Sequence, residues 1–190
     1  MEQQQRFIIG AVIGILLIAG LGRVEAEEIP IKGKFAGTSL GTRMDRFPLG
    51  SPDGSAAGWF TSELKSNLGK YTMQGVSEAL PTGPTAECPG GVSIIDAPNG
   101  IGAGTSTGTW PNGDQLYNRI VTSTLCSDTA GRFTATETGL IVGGAGKFAG
   151  ASGTYEASSR GFLQYFDPNA NPPQWFGSLR GEFEGTLILP

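Results

Sequence analysis

Histidine is absent from this chain of 190 residues, and cysteine occurs only twice. Without histidine the chain has no Ser-His-Asp triad, no histidine-ligated metal site and no imidazole base. Charged residues make up only 16% of the chain, the net charge is −4, and no basic patch with interleaved aromatics is present. This balance argues against a nucleic-acid partner and gives no electrostatic reason to bind anionic lipid. We therefore predict no catalytic triad, no metal and no cofactor.

Long hydrophobic runs are equally scarce, with one exception near the N-terminus. Residues 7–21 are uncharged and apolar, and the small or apolar residues Val24 and Ala26 follow at the positions that a signal peptidase reads. The pattern is typical of a signal peptide, and the run is shorter than the ~20 residues that comfortably span a bilayer. We predict cleavage after Ala26, which leaves residues 27–190 as one domain.

The alternative for residues 1–26 is a retained membrane anchor. Gly10 and Gly14 form a G-x-x-x-G pattern, which could pack an N-terminal hydrophobic helix against another helix of a membrane-protein complex. Both interpretations place the body of the protein outside the cytoplasm, either periplasmic or secreted. An exported chain meets an oxidising compartment, so Cys88 and Cys126 are predicted to form a disulfide. A reactive thiol or metal ligand is the alternative, which no C-x-x-C motif supports.

Beyond residue 28 the pattern is one of strands, and only Ser62–Leu68 hints at a short helical turn. The clearest strand is the last, where apolar or glycine residues alternate with Arg180, Glu182 and Glu184. Because the apolar face should fill the interior, the charged face is predicted to point outward. Strands are predicted at 29–35, 59–64, 70–80, 91–95, 104–109, 115–125, 132–142, 154–165 and 175–189. Residues 167–173 are predicted to form a polar loop at one mouth.

Eight or nine strands joined by short turns, with no crossover helices, indicate an all-β antiparallel sheet. Such a sheet removes its exposed edges by closing into a barrel. The polar side chains that could line its lumen are Tyr117, Arg119, Glu137 and Tyr155. Arg119 and Glu137 could instead pair across neighbouring strands as a structural contact.

A glycine-rich stretch at 143–153, reading G-G-A-G-K-F-A-G-A-S-G, gives the most specific motif. It resembles the G-G-T-G-[KR]-F-x-x-A-x-G signature of the allene oxide cyclase and dirigent superfamily, and most resembles exported bacterial members. A Cys-Pro motif at 88–91 and a closing G-T-L at 185–187 add to the resemblance, while residue 145 is Ala where Thr is usual. The signature positions are Gly143, Gly144, Gly146, Phe148, Gly150 and Gly153.

The resemblance implies a calycin-like β-barrel of eight strands. It also implies cyclisation of reactive polyunsaturated substrates, as in one plant branch, or guidance of radical coupling, as in another. A phosphate-binding loop is the rival interpretation of G-G-A-G-K, but that loop needs Ser or Thr after the lysine and a following helix. We therefore expect a barrel corner, in which Phe148 plugs one end and Lys147 is solvated.

Three functions fit these patterns. The first is a non-catalytic barrel outside the cytoplasm that binds a small apolar ligand or serves as an accessory subunit of a membrane complex. The second is a cyclase-like enzyme, whose hydrophobic lumen would fold a reactive substrate with few polar groups. The third is a dirigent-like scaffold. We rank them in that order because fold alone does not determine function.

Overall fold

The computed structural model describes residues 26–43, 56–96, 104–167 and 174–190. These residues form nine strands, and none of them is α-helical. The strands are β1 Glu27–Arg43, β2 Ala56–Ser66, β3 Gly69–Gly83, β4 Gly91–Asp96, β5 Gly104–Thr109, β6 Gln115–Ser127, β7 Arg132–Ala145, β8 Ser152–Asp167 and β9 Gln174–Leu189. The predicted signal peptide or anchor and most of the predicted polar loop lie outside the described residues. Within the described part of the chain, no helix is long and apolar enough to cross a membrane.

Every pairing between strands is antiparallel, and the pairings close on themselves. β4 and β5 each pair with both β3 and β6, so they share one position in the sheet. The contact between β2 and β3 completes a ring of eight strand positions. The predicted all-β antiparallel sheet is confirmed, and each predicted strand lies inside an observed one. The expected helical turn at Ser62–Leu68 is wrong, because β2 continues to Ser66 and a two-residue turn follows.

One end of the ring is filled by aromatic side chains. After β7, a short 3₁₀ turn at Gly146–Phe148 carries the Phe148 ring into the interior, where it is 1% exposed. Its ring centroid lies 4.5 Å from that of Trp110, which stacks on Tyr71 at 4.1 Å. The Trp110 indole N–H donates to the carbonyl of Leu68, so its polar atom is satisfied. Phe148 therefore occupies the plug position that the sequence predicted.

Elsewhere on the inner face, aromatic rings lie on glycines of the neighbouring strand. Phe183 is the direct cross-strand partner of Gly33, and a Cβ built on that glycine would come 2.7 Å from the ring. Five further partner pairs show the same contact, namely Phe35–Gly181, Trp175–Gly41, Phe60–Gly75, Tyr155–Gly139 and Phe133–Gly161. Glycine provides the space into which each ring lies along the wall. This packing accounts for six of the 31 glycines and leaves the centre of the ring hollow.

The opposite end is fastened by a disulfide. Cys88 and Cys126 are bonded, with their Cα atoms 5.4 Å apart. The bond attaches the turn before β4 to the end of β6. Beside it, Asp128 forms an ion pair with Arg132 and accepts the backbone N–H groups of Ala130 and Arg132. The predicted disulfide is confirmed, and disulfides are typical of oxidising compartments outside the cytoplasm.

Candidate functional site

The hollow centre of the ring is a cavity of about 710 Å³. Its size falls within the range of pockets that hold small organic molecules. Apolar side chains and seven serines from all but one of the strands make up most of its wall. At one end the cavity wall includes Ile31, which belongs to the hydrophobic cluster around Phe148, and Tyr71, which packs against that cluster. At the other end it reaches Leu163 and the exposed turn residue Thr129, so the mouth lies at the disulfide end.

Two ionisable side chains meet in the wall of this cavity. Tyr155 on β8 donates its hydroxyl to Oε1 of Glu137 on β7, at 2.7 Å. The strand register explains the contact, because Tyr155 is the partner of Gly139 and so lies diagonal to Glu137. Gly139 leaves the space that the tyrosine ring occupies. Among the described residues, Tyr155 is the one hydrogen-bond partner of Glu137, so the other carboxyl oxygen is available to a ligand.

The environment of this pair favours its neutral state. Burial raises the pKa of the Glu137 carboxyl, and the hydrogen bond from Tyr155 offsets part of that increase. Burial also raises the pKa of Tyr155, and the neighbouring carboxylate raises it further. No lysine or arginine of the described chain lines the cavity. A charge on Glu137 would therefore have no cation in the cavity wall to balance it, so only the Tyr155 hydrogen bond opposes the effect of burial.

A second polar group projects into the cavity from β6. The Asn118 amide donates to Ser106 Oγ at 3.3 Å and approaches the Met73 sulfur at 4.0 Å. Sequence reasoning missed Asn118, because its neighbours Tyr117 and Arg119 offered more reactive side chains. Its alternation with the apolar residues Leu116 and Ile120 is the signal that could have identified it.

The four predicted lumen residues divide into two pairs. Glu137 and Tyr155 line the cavity. Tyr117 and Arg119 lie on the opposite strand face, since their neighbours Leu116, Asn118 and Ile120 are the lining residues. The alternative contact between Arg119 and Glu137 does not form, because Arg119 pairs with Leu140. Tyr117 instead donates to Gln115 at 2.9 Å.

A β-bulge in β6 causes this division. The register skips one residue between Ile120 and Thr122, so Ile120 points inward and the next lining residue is Ser123 rather than Thr122. The inner face therefore changes from even to odd residue numbers within one strand. If side chains alternated strictly between the two faces from Ser123 back to Tyr117, the tyrosine would point into the cavity. The bulge shifts this alternation by one residue, so Tyr117 points outward.

The glycine signature forms the corner between β7 and β8. Gly146 has φ +66°, a left-handed conformation that glycine adopts without strain. Its neighbour Lys147 donates its backbone N–H to Asp114 at 3.1 Å, and the lysine Nζ lies 4.8 Å from the Phe148 ring centroid. Hydrogen bonds from Asn112 and Lys147 lower the pKa of Asp114. These contacts hold the plug, and a strand rather than a helix follows the corner.

The charged face of the last strand points outward. Arg180, Glu182 and Glu184 are all exposed, as the sequence predicted. Glu182 and Glu184 face Lys34 and Lys32 of β1, so these charges alternate in sign across the two strands. Exposed pairs of this kind contribute little to stability and belong to a solvated surface.

Comparison of this chain with models of protein families, with curated proteins and with solved structures finds no match in any of the three. Fold and cavity geometry are therefore the basis for assigning a function.

Proposed function

We propose that this protein is a ligand-binding β-barrel of the calycin-like type, which acts outside the cytoplasm and takes a small apolar molecule into its lumen. The hollow ring supports this proposal most directly, because six aromatic rings lie on glycines instead of filling the centre. The Phe148 plug and the glycine corner also fit the allene oxide cyclase and dirigent resemblance. The Cys88–Cys126 bond fits an exported protein.

The polar groups of the cavity narrow the class of ligand. Glu137 offers one carboxyl oxygen to the lumen, and no basic side chain of the described residues accompanies it. A ligand carboxylate would meet an uncompensated acidic group, whereas a hydroxyl or carbonyl could hydrogen-bond to it. The preferred ligand is therefore an apolar molecule with a single neutral oxygen group.

Displacement of the neutral fluorescent probe N-phenyl-1-naphthylamine tests this function. We expect the probe to bind the parent protein and dodecanol to displace it more strongly than dodecanoate does at neutral pH. Ala157→Leu should weaken binding, because residue 157 lines the cavity as the cross-strand partner of Glu137 and the larger side chain takes up part of the lumen. Ser158→Leu is the matched control, since the next residue of the same strand is exposed. Unchanged probe binding by Ala157→Leu would refute the lumen as the binding site.

A cyclase-like enzyme is the second candidate, and the buried Glu137–Tyr155 pair favours it. Carboxyl groups whose pKa is raised by burial are common at catalytic sites. An enzyme would convert a polyunsaturated epoxide to a cyclic isomer, and Glu137→Gln would stop conversion without preventing binding. Chiral chromatography of the recovered ligand distinguishes the two functions, because isomerisation leaves the mass unchanged. A pure binder returns the ligand unaltered.

The accessory-subunit version of the proposal depends on residues 1–26. If they remain attached, Gly10 and Gly14 could join the protein to a membrane complex. Mass measurement of the native N-terminus decides between the two forms. A chain that begins at Glu27 and purifies without membrane proteins would exclude the anchored subunit.

A further inference from the structure

A band of exposed apolar side chains crosses five neighbouring strands on the outside of the ring. Its members are 37% to 53% exposed and are consecutive cross-strand partners, in the order Val76, Trp59, Leu40, Phe176 and Tyr165. Isolated apolar residues on a surface are ordinary, but a contiguous row of large side chains marks an interaction site. We call this row the apolar band.

The apolar band lies towards the mouth end of the cavity, on five of the eight strand positions. Ser77, Gly58, Ser39 and Trp175 are sequence neighbours of four band residues, and all four line the cavity, as does the band residue Trp59 itself. On β9, Phe176 lies near the start of the strand, whereas the buried Leu187 of the closed end lies near its finish. A partner that covers the apolar band therefore also lies close to the mouth of the cavity.

A pair of arginines borders the apolar band on the side of the closed end. Arg160 and Arg180 are direct cross-strand partners, and both are exposed. Their outer partners are Thr134 and Ala36, so no carboxylate faces either of them in the register of the described strands. Like charges placed directly opposite each other destabilise a sheet, and an anion bound between them would relieve that repulsion. Further along β9 the exposed glutamates face lysines of β1, so the arginine pair is the place on the described β8–β9 surface where two cations are direct partners.

We propose that the apolar band and the Arg160–Arg180 pair dock the mouth of the protein on the surface of a phospholipid bilayer. Tryptophan and tyrosine favour the boundary between acyl chains and headgroups, and guanidinium groups bind lipid phosphates. Phe176 and Arg180 are four residues apart, which is about 10 Å along the membrane normal for a strand tilted by ~40°. That spacing matches the depth to which interfacial apolar groups enter a bilayer.

The role that docking would have rests on the proposed ligand-binding function. With the mouth against the bilayer, an apolar ligand could pass between lipid and lumen without crossing water. A second copy of the chain fits the band less well. An interface between two copies related by a two-fold axis would contain the arginine pair of each copy, which adds like charge to that interface.

Binding of the full chain to vesicles of phosphatidylcholine and phosphatidylglycerol tests the proposal. We expect Leu40→Thr/Phe176→Thr to weaken binding at least tenfold. Arg160→Gln/Arg180→Gln should remove the dependence on phosphatidylglycerol and on salt. The matched controls are Val142→Thr, an equally exposed apolar residue outside the band, and Lys65→Gln/Lys70→Gln, a cross-strand lysine pair outside the arginine border. Both controls should bind as the parent does.

Because residues 7–21 could themselves hold the chain on a vesicle, the deciding measurement is quenching of Trp59 fluorescence by brominated lipid. We expect quenching in the parent and its loss in Trp59→Phe. Absence of Trp59 quenching would overturn the proposal, as would a solution dimer that dissociates on Leu40→Thr/Phe176→Thr. Probe binding separates the two proposals. Vesicle docking without probe binding would support the docking surface and refute the ligand site. Probe binding without vesicle docking would refute the docking surface alone.

Discussion

The two ends of the strand ring use aromatic side chains in opposite ways. At the closed end Phe148, Trp110 and Tyr71 pack ring on ring and fill the interior. Towards the mouth, aromatics such as Trp175 lie on glycines of the neighbouring strand and leave a lumen of about 710 Å³. Packing of aromatic side chains on one another therefore closes one end of the strand ring. Packing of an aromatic side chain on a glycine buries aromatic surface and leaves the cavity open.

Phe148→Ala should have the largest effect, because it removes the plug from the closed end. Loss of a fully buried phenylalanine costs about 3–5 kcal/mol of unfolding free energy through lost transfer energy and the cavity it leaves. Urea denaturation measures the loss. Val142→Ala, at an exposed position of the preceding strand, is the control and should change stability by less than about 0.5 kcal/mol. A similar cost for both variants would contradict the plug.

Removal of the disulfide should weaken the mouth end by nearly as much. Cys88 and Cys126 are separated by 38 residues, and a loop of that size predicts a loss of about 3–4 kcal/mol on the loop-entropy model. The double variant Cys88→Ser/Cys126→Ser should show this decrease in urea denaturation without reductant. With reductant, parent and variant should unfold at the same urea concentration. A variant as stable as the oxidised parent would show that the mouth does not need the bond.

Gly139→Ala should show the cost of filling the space under a wall aromatic. A Cβ at this position overlaps the Tyr155 ring, so the ring must move into the lumen. We expect a loss of about 1–3 kcal/mol, typical of overpacking, together with weaker probe binding. Gly58→Ala is the matched control, because its added Cβ has nothing closer than Ser77 Oγ at 3.4 Å. If both variants are equally stable, the aromatic rings do not depend on glycine for their position.

Glu137→Gln should have the smallest effect, seen as a change in pH dependence. Burial raises the pKa of Glu137. Between the ordinary and the raised pKa the folded protein holds a proton that the unfolded chain releases, so stability falls as pH rises through that window. The neutral amide removes this decrease, so the variant should lose less stability than the parent between pH 4 and pH 8.

Urea denaturation at the two pH values measures the difference. Glu63→Gln, at an exposed outer position, should retain the pH dependence of the parent. An unchanged pH dependence in Glu137→Gln would mean that the carboxyl is solvated in the folded protein.

Local pattern was enough to predict the strands, because a period of two and the turn residues between strands are properties of short segments. The same pattern identified the outward face of β9 and the buried Phe148. It failed in β6, where the bulge at Ile120 changes which residues face inward. A bulge depends on the pairing with β7, so alternation in one strand could not locate it. Tyr117 and Arg119 were predicted as lumen candidates because of their polar side chains, and the structure places both on the outer face.

The sequence by itself determined an all-β chain with one disulfide and a phenylalanine plug, since these follow from residue types and their spacing along the chain. Only the tertiary structure decided that the ring is hollow, because each wall aromatic needs a glycine from a different strand beside it. The tertiary structure also decided which side chains are neighbours on the outer surface. Trp59, Leu40 and Phe176 become neighbours through strand register, and the net charge of −4 does not reveal that Arg160 and Arg180 are cross-strand partners.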